Sequence, residues 1–246
     1  MTEALANTLR EYAARYEIPD FIVGDPSWFM HQVEGTHNRE MMAFLAAALS
    51  YGSRVQFLPK IQWLLDCSQG NPDTWVREGE YRSVLSPGDP ACYYRLYTKG
   101  LMFSFLEACR CMLREWGSIG GYIQANSQDA FTAVEALCRY FSSRGLAVIV
   151  PKDATSACKR LCMFLRWMVR DGSPVDLGLW SSFIDKRSLI MPLDTHVLTE
   201  AEKLGLVHSR CASMSAAKRL SAAMAEVFPE DPLKGDFALF GYGVNL

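Results

Sequence analysis

Residues 154–170 read ATSACKRLCMFLRWMVR. Cys158, Leu161, Cys162, Leu165, Met168 and Val169 recur at the three- and four-residue spacing of one helix face, so this segment is expected to be a helix packed on a core. Lys159, Met163, Arg166 and Arg170 fall on the opposite face. Arg160 and Trp167 flank that stripe. Seven cationic residues (Arg139, Arg144, Lys152, Lys159, Arg160, Arg166 and Arg170) but a single acid, Asp153, lie between positions 139 and 170. They form a local basic patch inside a chain whose formal net charge is only −2. Any nucleic-acid contact therefore has to be local.

Outward from this helix the pattern stays helical. Residues 2–17 and 39–51 each read as a helix. The second, REMMAFLAAALSY, is apolar nearly all round and belongs at the centre of a bundle, with Asn38 as its cap and Gly52 as its stop. Further helices are expected near 55–65, 92–115, 127–143, 195–204 and 214–227, and Gly117, Gly120 and Gly121 punctuate the gap after residue 115. Residues 68–90 are rich in turn formers, and only LAVIV at 146–150 reads as extended, or equally as a loop packed on the core. No repeat, low-complexity segment or flexible linker interrupts the 246 residues. The expected fold is all-α, one domain over 1–246 with two lobes interleaved in sequence.

Half of the residues are hydrophobic and 21% are charged, which suits a packed globular chain rather than a disordered one. The eight cysteines contain no CxxC pair, and the histidines are scattered at 31, 37, 196 and 208. No metal site is expected. The first residues, MTEALANTLREYAARYE, read as an amphipathic helix rather than a signal peptide, and no apolar run approaches membrane-spanning length. A reducing cytoplasm, with no membrane contact, is the expected setting.

The chemistry concentrates in Pro192-Leu193-Asp194-Thr195-His196-Val197, followed by a helix ending in Lys203-Leu204-Gly205-Leu206. An Asp at this place can be a structural cap or a reactive carboxylate at the positive end of a helix. The segment resembles the catalytic segment of the helix-hairpin-helix DNA glycosylases, V-D-T-H-V followed by a helix ending in R-L-G-L. That resemblance implies a two-lobed helical bundle and gives Asp194 the catalytic role.

A second likeness lies in FLAAALSYG at 44–52, which resembles the same superfamily's first block, an apolar helix running into a loop that probes the DNA minor groove. The superfamily's Gln is replaced by Gly52, so Tyr51, Arg54 or Gln56 would have to fill the space left by an extruded base. The superfamily's glycine-rich hairpin is absent. In its place Ser156-Ala157-Cys158-Lys159-Arg160-Leu161 opens the basic helix, and 35 residues (194 − 159) separate Lys159 from Asp194. This layout is closest to that of the archaeal 8-oxoguanine glycosylases and implies Lys159 as the Schiff-base nucleophile. Holding a phosphate, or standing as a solvated helix charge, is the other reading of Lys159.

An iron–sulfur cluster, which some of these glycosylases bind through four Cys near the C-terminus, is not expected. The last cysteine is Cys211, and Asp236–Gly243 contains none. Across most of its length the sequence also resembles an uncharacterised bacterial family of unknown function, through residues 156–170, 189–197 and 231–244. By these resemblances the expectation is a base-excision DNA glycosylase, with or without lyase activity, that acts on double-stranded DNA without a cofactor. Asp194 and Lys159 would be catalytic. Tyr51, Gly52, Arg54, Gln56 and Trp167 would line the base site, and Arg160, Arg166 and Arg170 would hold phosphates. Trp167 could equally pack between helices. His196 reads as a buried, structural imidazole. Non-catalytic DNA or nucleotide binding on the same fold is the alternative, and a protein-interaction scaffold is a third.

Overall fold

The structure is a computed structural model that describes residues 1–207 and 211–244. His208 lies outside the described residues. In chain order the elements are α1 (Glu3–Tyr16), α2 (Thr36–Leu49), α3 (Arg54–Cys67), α4 (Pro72–Glu78), β1 (Cys92–Tyr94), β2 (Tyr97–Thr98), α5 (Lys99–Trp116), α6 (Ile119–Asn126), α7 (Ala130–Ser142), α8 (Lys159–Val169), α9 (Thr195–Lys203), α10 (Met214–Ala225) and α11 (Lys234–Val244). The protein is mostly α-helical, with one two-stranded antiparallel hairpin. Two compact units share the chain. One comprises Met1–Phe21, Gln128–Val134 and Ala154–Leu246; the other comprises Ile22–Ser127 and Glu135–Asp153.

In the second unit, α2 is buried from Glu40 to Leu49. Its one buried charge has a specific task. The two carboxylate oxygens of Glu40 accept the amides of Ile119 and Gly120, each at 2.9 Å. These are orphan donors at the start of α6, where negative charge is favoured. Asn38 does not cap α2. Gly35 holds that position at φ +83, and Asn38 instead donates to Glu34 O and accepts the Asp73 amide. The helix closes at Leu49, before Gly52.

Two further expectations change in this unit, and one open reading is decided. Residues 92–98 form a hairpin rather than the start of a helix, with Cys92 opposite Thr98 and Tyr94 opposite Tyr97. Tyrosines suit a pleated surface better than a helix. The glycines after residue 115 do not keep the chain irregular, because Gly120 and Gly121 lie inside α6. A Cβ on Gly121 would stand 2.2 Å from Trp116 O, so only glycine lets the chain turn this tightly. Of the two readings of LAVIV the structure has the loop packed on the core: Leu146, Ile149 and Val150 are buried, and the amides of Ile149 and Val150 both donate to Leu146 O.

In the first unit, α11 lies against α1, and Phe21 meets Phe237 and Phe240 edge-on at 4.9 and 5.0 Å. The close approach depends on Gly241, where a Cβ would fall 2.2 Å from the ring of Tyr16. Gly241→Ala is expected to lower stability by about 1–3 kcal/mol, the usual cost of overpacking. The midpoint of urea unfolding measures it; an unchanged midpoint would show that Tyr16 can swing away freely.

Candidate active site

The segment before α9 is firmly anchored. Leu189, Ile190, Met191 and Leu193 are buried, and the Met191 amide donates to Ser221 Oγ of α10 at 2.8 Å. Fixing these residues fixes where Asp194 emerges. Asp194 is the N-cap of α9, with its Oδ1 accepting the Val197 amide at 2.8 Å. Its second oxygen is left to face outward. That Oδ2 lies 3.4 Å from Lys159 Nζ, and the two side chains are 33% and 36% exposed. The carboxylate is therefore capped, paired and reachable by solvent together.

Lys159 is the first residue of α8, and the residue before it is unusual. Cys158 is buried and sits in the left-handed region at φ +45, ψ +37. A non-glycine residue there costs on the order of 1 kcal/mol or more. The approach is tied down by a backbone bridge between Ser156 and Ser213 and by the Met214 amide on Thr155 O. The strained turn aims the first residue of α8 toward the head of α9. Arg160, partly exposed, follows Lys159 at the same helix end.

The rest of α8 is buried from Leu161 to Val169. This overturns the reading of Arg166 and Arg170 as phosphate ligands. Arg166 bonds Asp176 through Nε at 3.2 Å and Asp236 through Nη1. Arg170, the residue after the helix, makes a two-pronged contact with Asp231 at 2.9 and 2.8 Å, reaches Glu17 at 2.7 Å and also bonds Asp176. Phe237 lies beneath both guanidiniums, 4.7 and 5.3 Å from its ring centre. Every charge-bearing prong named here is spent on an internal acid. Trp167 is likewise fully buried, so it packs inside the unit and offers no face for a base. His196, expected inside, stands exposed in the first turn of α9.

Burial pushes the Asp176 and Asp236 carboxyls up, and the arginines beside them pull the other way. The charge of Asp194 also raises Asp236. The buried bed and the exposed pair are thus electrostatically coupled. For Arg170, burial alone would favour the neutral form, but the Asp231 contact and the charges of Asp176 and Glu17 outweigh it and raise its pKa.

Tyr51, Gly52, Arg54 and Gln56 belong to the other unit. The Tyr51 ring packs against Tyr94 and Tyr97, and Arg95 lies over it at 5.4 Å. Gly52 adopts φ +80, so its role is a backbone turn rather than a base contact. Arg54 pairs with Asp25 at 3.4 Å, and Gln56 is exposed. Sequence reasoning missed Glu17, Asp176, Asp231 and Asp236 altogether. The usable signal was two arginines four apart in an otherwise apolar helix, which demand buried acids. Among the described residues, no group of three or more His, Cys, Asp or Glu is arranged to hold a metal ion, and no helix is long and apolar enough to cross a membrane.

Residues 25–245 match the model of a family described as a protein of unknown function, DUF2400. The chain belongs to the DUF2400 family. No curated protein and no solved structure matches it. The stretch matched to DUF2400 takes in Lys159, Asp194 and both arginines with Asp176, Asp231 and Asp236, and leaves Glu17 outside.

The buried bed makes a sharp forecast for this DUF2400 protein. Arg170→Leu leaves Asp231 and Glu17 without their guanidinium and Asp176 with Arg166 alone, and should cost about 3–5 kcal/mol. Arg170→Lys should recover only part of it, since an ammonium cannot reproduce the two-pronged contact with Asp231. Denaturant unfolding of the three proteins tests this; equal stabilities would show that the bed contributes nothing.

Proposed function

We propose that the protein is a DNA base-excision glycosylase with lyase activity, built on the two-lobed helix-hairpin-helix glycosylase plan with an atypical hairpin. The observation that carries this reading is the Lys159–Asp194 pair. An amine and a carboxylate 35 residues apart in sequence (194 − 159) stand 3.4 Å apart at the heads of two helices, each about one-third exposed. Amine and carboxylate at this distance are suited to covalent attack on a sugar carbon. The likeness of residues 193–197 to the glycosylase catalytic segment supports the same roles.

The chemistry follows from these two groups. A base must first leave the stack so that its glycosidic bond can be reached. Lys159 passes one proton to Asp194 and is left with a free electron pair. Its Nζ bonds to C1′ as the C1′–N bond breaks. The electrons of the broken C1′–N bond leave with the base, which takes up the proton held by Asp194. As that proton leaves it, Asp194 becomes a carboxylate again and stabilises the positive charge of the sugar–lysine adduct. The bound nitrogen then carries two protons; one passes to O4′ as the C1′–O4′ bond opens, which leaves the protonated imine, and the strand can then be cleaved. Arg160, beside Lys159 at the head of α8, is placed to hold a flanking phosphate. The cytoplasm would suit such an enzyme, because its eight thiols stay reduced there.

The alternative is a DNA-binding protein of the same fold without catalysis, which the missing hairpin glycines and Gly52 favour. The two readings part in one experiment. Duplexes carrying single damaged bases or an abasic site are incubated with the protein and borohydride. The enzyme reading predicts a covalent adduct with at least one duplex, because hydride reduces the imine to a stable amine, and Lys159→Ala should abolish it. Duplex binding with no adduct across the panel would instead establish the binding protein.

Asp194→Asn provides a second check. Asparagine caps a helix as well as aspartate does, so stability should change by less than about 1 kcal/mol. Base release should nevertheless fall by about a hundredfold or more, the usual worth of a positioned acid or base. Loss of folding and activity together would mark Asp194 as a structural cap.

A further inference from the structure

Two cysteines flank the backbone bridge that ties the start of α8 to the start of α10, and the proposed chemistry uses neither. Ser156 and Ser213 pair antiparallel, and the Met214 amide donates to Thr155 O at 3.3 Å. That register sets Cys158, two residues past Ser156, against Cys211, two residues before Ser213. The ladder stops there, because the Ser213 amide turns back onto Cys211 O at 3.0 Å and Cys158 turns into α8. Positions facing one another across an antiparallel pair have Cα atoms roughly 4.5–5.5 Å apart, within the roughly 4.4–6.8 Å that a disulfide spans. The Cys158 sulfur lies 3.5 Å from Ser156 Oγ, on the side of the bridge.

The two thiols differ in access. Cys211 is exposed and Cys158 is buried. An oxidant therefore meets Cys211 first, and Cys158 is sheltered until its partner has reacted. Cys162, one turn along α8, is a poor competitor. Its Sγ donates to Ala157 O at 3.5 Å, and burial pushes the thiol up, which disfavours the nucleophilic thiolate.

We propose that peroxide joins Cys211 to Cys158 in a reversible disulfide that re-aims Lys159. The Cys211 thiolate takes one oxygen from hydrogen peroxide; the O–O bond breaks and the other oxygen leaves as water. The Cys158 sulfur then attacks the oxidised sulfur of Cys211. The S–S bond forms, the S–O bond breaks, and hydroxide leaves as water with the Cys158 proton. Two thiols are oxidised and one peroxide is reduced to two waters.

The effect on Lys159 follows from its position. Cys158 already sits at φ +45, and Leu161–Val169 are buried behind it. A pull on Cys158 is taken up at this turn and at Lys159 rather than by sliding the helix. The Lys159–Asp194 contact, 3.4 Å long and about one-third exposed, opens first. Loss of activity rests on the reading of Lys159 as the nucleophile; the disulfide itself does not.

The full-length protein is treated with hydrogen peroxide, its remaining thiols are alkylated, and it is digested with trypsin without reduction. Residues 153–159 (DATSACK) and 211–218 (CASMSAAK) each carry one cysteine, so their linked mass identifies the disulfide. That peptide should dominate, and a thiol reductant should remove it. The oxidised protein should melt no lower than the reduced one, because the disulfide closes a loop of 53 residues (211 − 158). With an abasic duplex and borohydride, oxidation should cut the covalent adduct at least about tenfold, since a displaced amine loses its orientation, and reductant should restore it. Cys211→Ser should give as much adduct as the wild type and keep it under peroxide.

Peroxide that leaves Cys211 a thiol, takes it to a sulfinic acid, or links Cys158 to residues 161–166 instead would overturn the switch. So would a linked peptide with the adduct undiminished, or a Cys211→Ser protein that peroxide silences as fully as the wild type. A linked peptide from a protein that gives no adduct in either state would sink the glycosylase reading alone and leave the disulfide established.

Discussion

Two arginine side chains in an apolar environment set the terms for the first unit. Arg166 and Arg170 are 4% and 0% exposed, and a guanidinium that deep is tolerable only if its hydrogen bonds and its charge are met inside. Four acids do this: Glu17 just after α1, Asp176 in the loop after α8, Asp231 before α11, and Asp236 within α11. They come from three separate stretches of the chain. The ionic bed therefore does more than neutralise charge. It fixes the end of α1, the 171–184 loop and the start of α11 against one helix, because guanidinium geometry accepts few arrangements of its partners.

That rigidity is transmitted to the exposed pair. Asp236 is gripped by Arg166 and feels the charge of Asp194. Lys159 opens the helix that carries both arginines, and Asp194 caps the helix that follows the anchored 189–193 segment. The carboxylate spends one oxygen on the Val197 amide and keeps the other for the amine. A reactive pair is useful only when its supporting groups leave it little freedom to drift. Here the support is covalently short on one side, through α8, and hydrogen-bonded on the other, through Ser221.

Much of this was legible in the sequence, and the parts that were not have physical causes. Helical periodicity gave α1, α2, α8, α9 and α10 to within a few residues, because each has a strongly one-sided or wholly apolar pattern. Asp194 was recognisable as a cap from its position before Thr195-His196-Val197. The hairpin at 92–98 was hidden because its turn residues, Arg95 and Leu96, carry no turn signal and its tyrosines continue into the α5 pattern. The fate of Arg166 and Arg170 was hidden for a different reason. A charged stripe on a helix looks the same whether it faces water or buried acids, and the acids lie up to 153 residues away in sequence. Periodicity reports which residues share a face; it is silent on what that face meets.

Among the described residues, three non-glycine residues occupy the left-handed region: Gln69, Arg95 and Cys158. Gln69 follows the end of α3, where helices commonly close in this conformation, so it has an ordinary cause. The other two do not end a helix. Cys158 precedes Lys159, and Arg95 shares a two-residue turn with Leu96. Arg95 opens a two-residue hairpin connection, which itself calls for a positive φ, so Cys158 alone of the three is left without a turn or helix end to explain it, and the side chain next to it is Lys159. Strain that no turn or helix end explains, one residue before the amine of the proposed chemistry, is more economically assigned to aiming Lys159 than to chance.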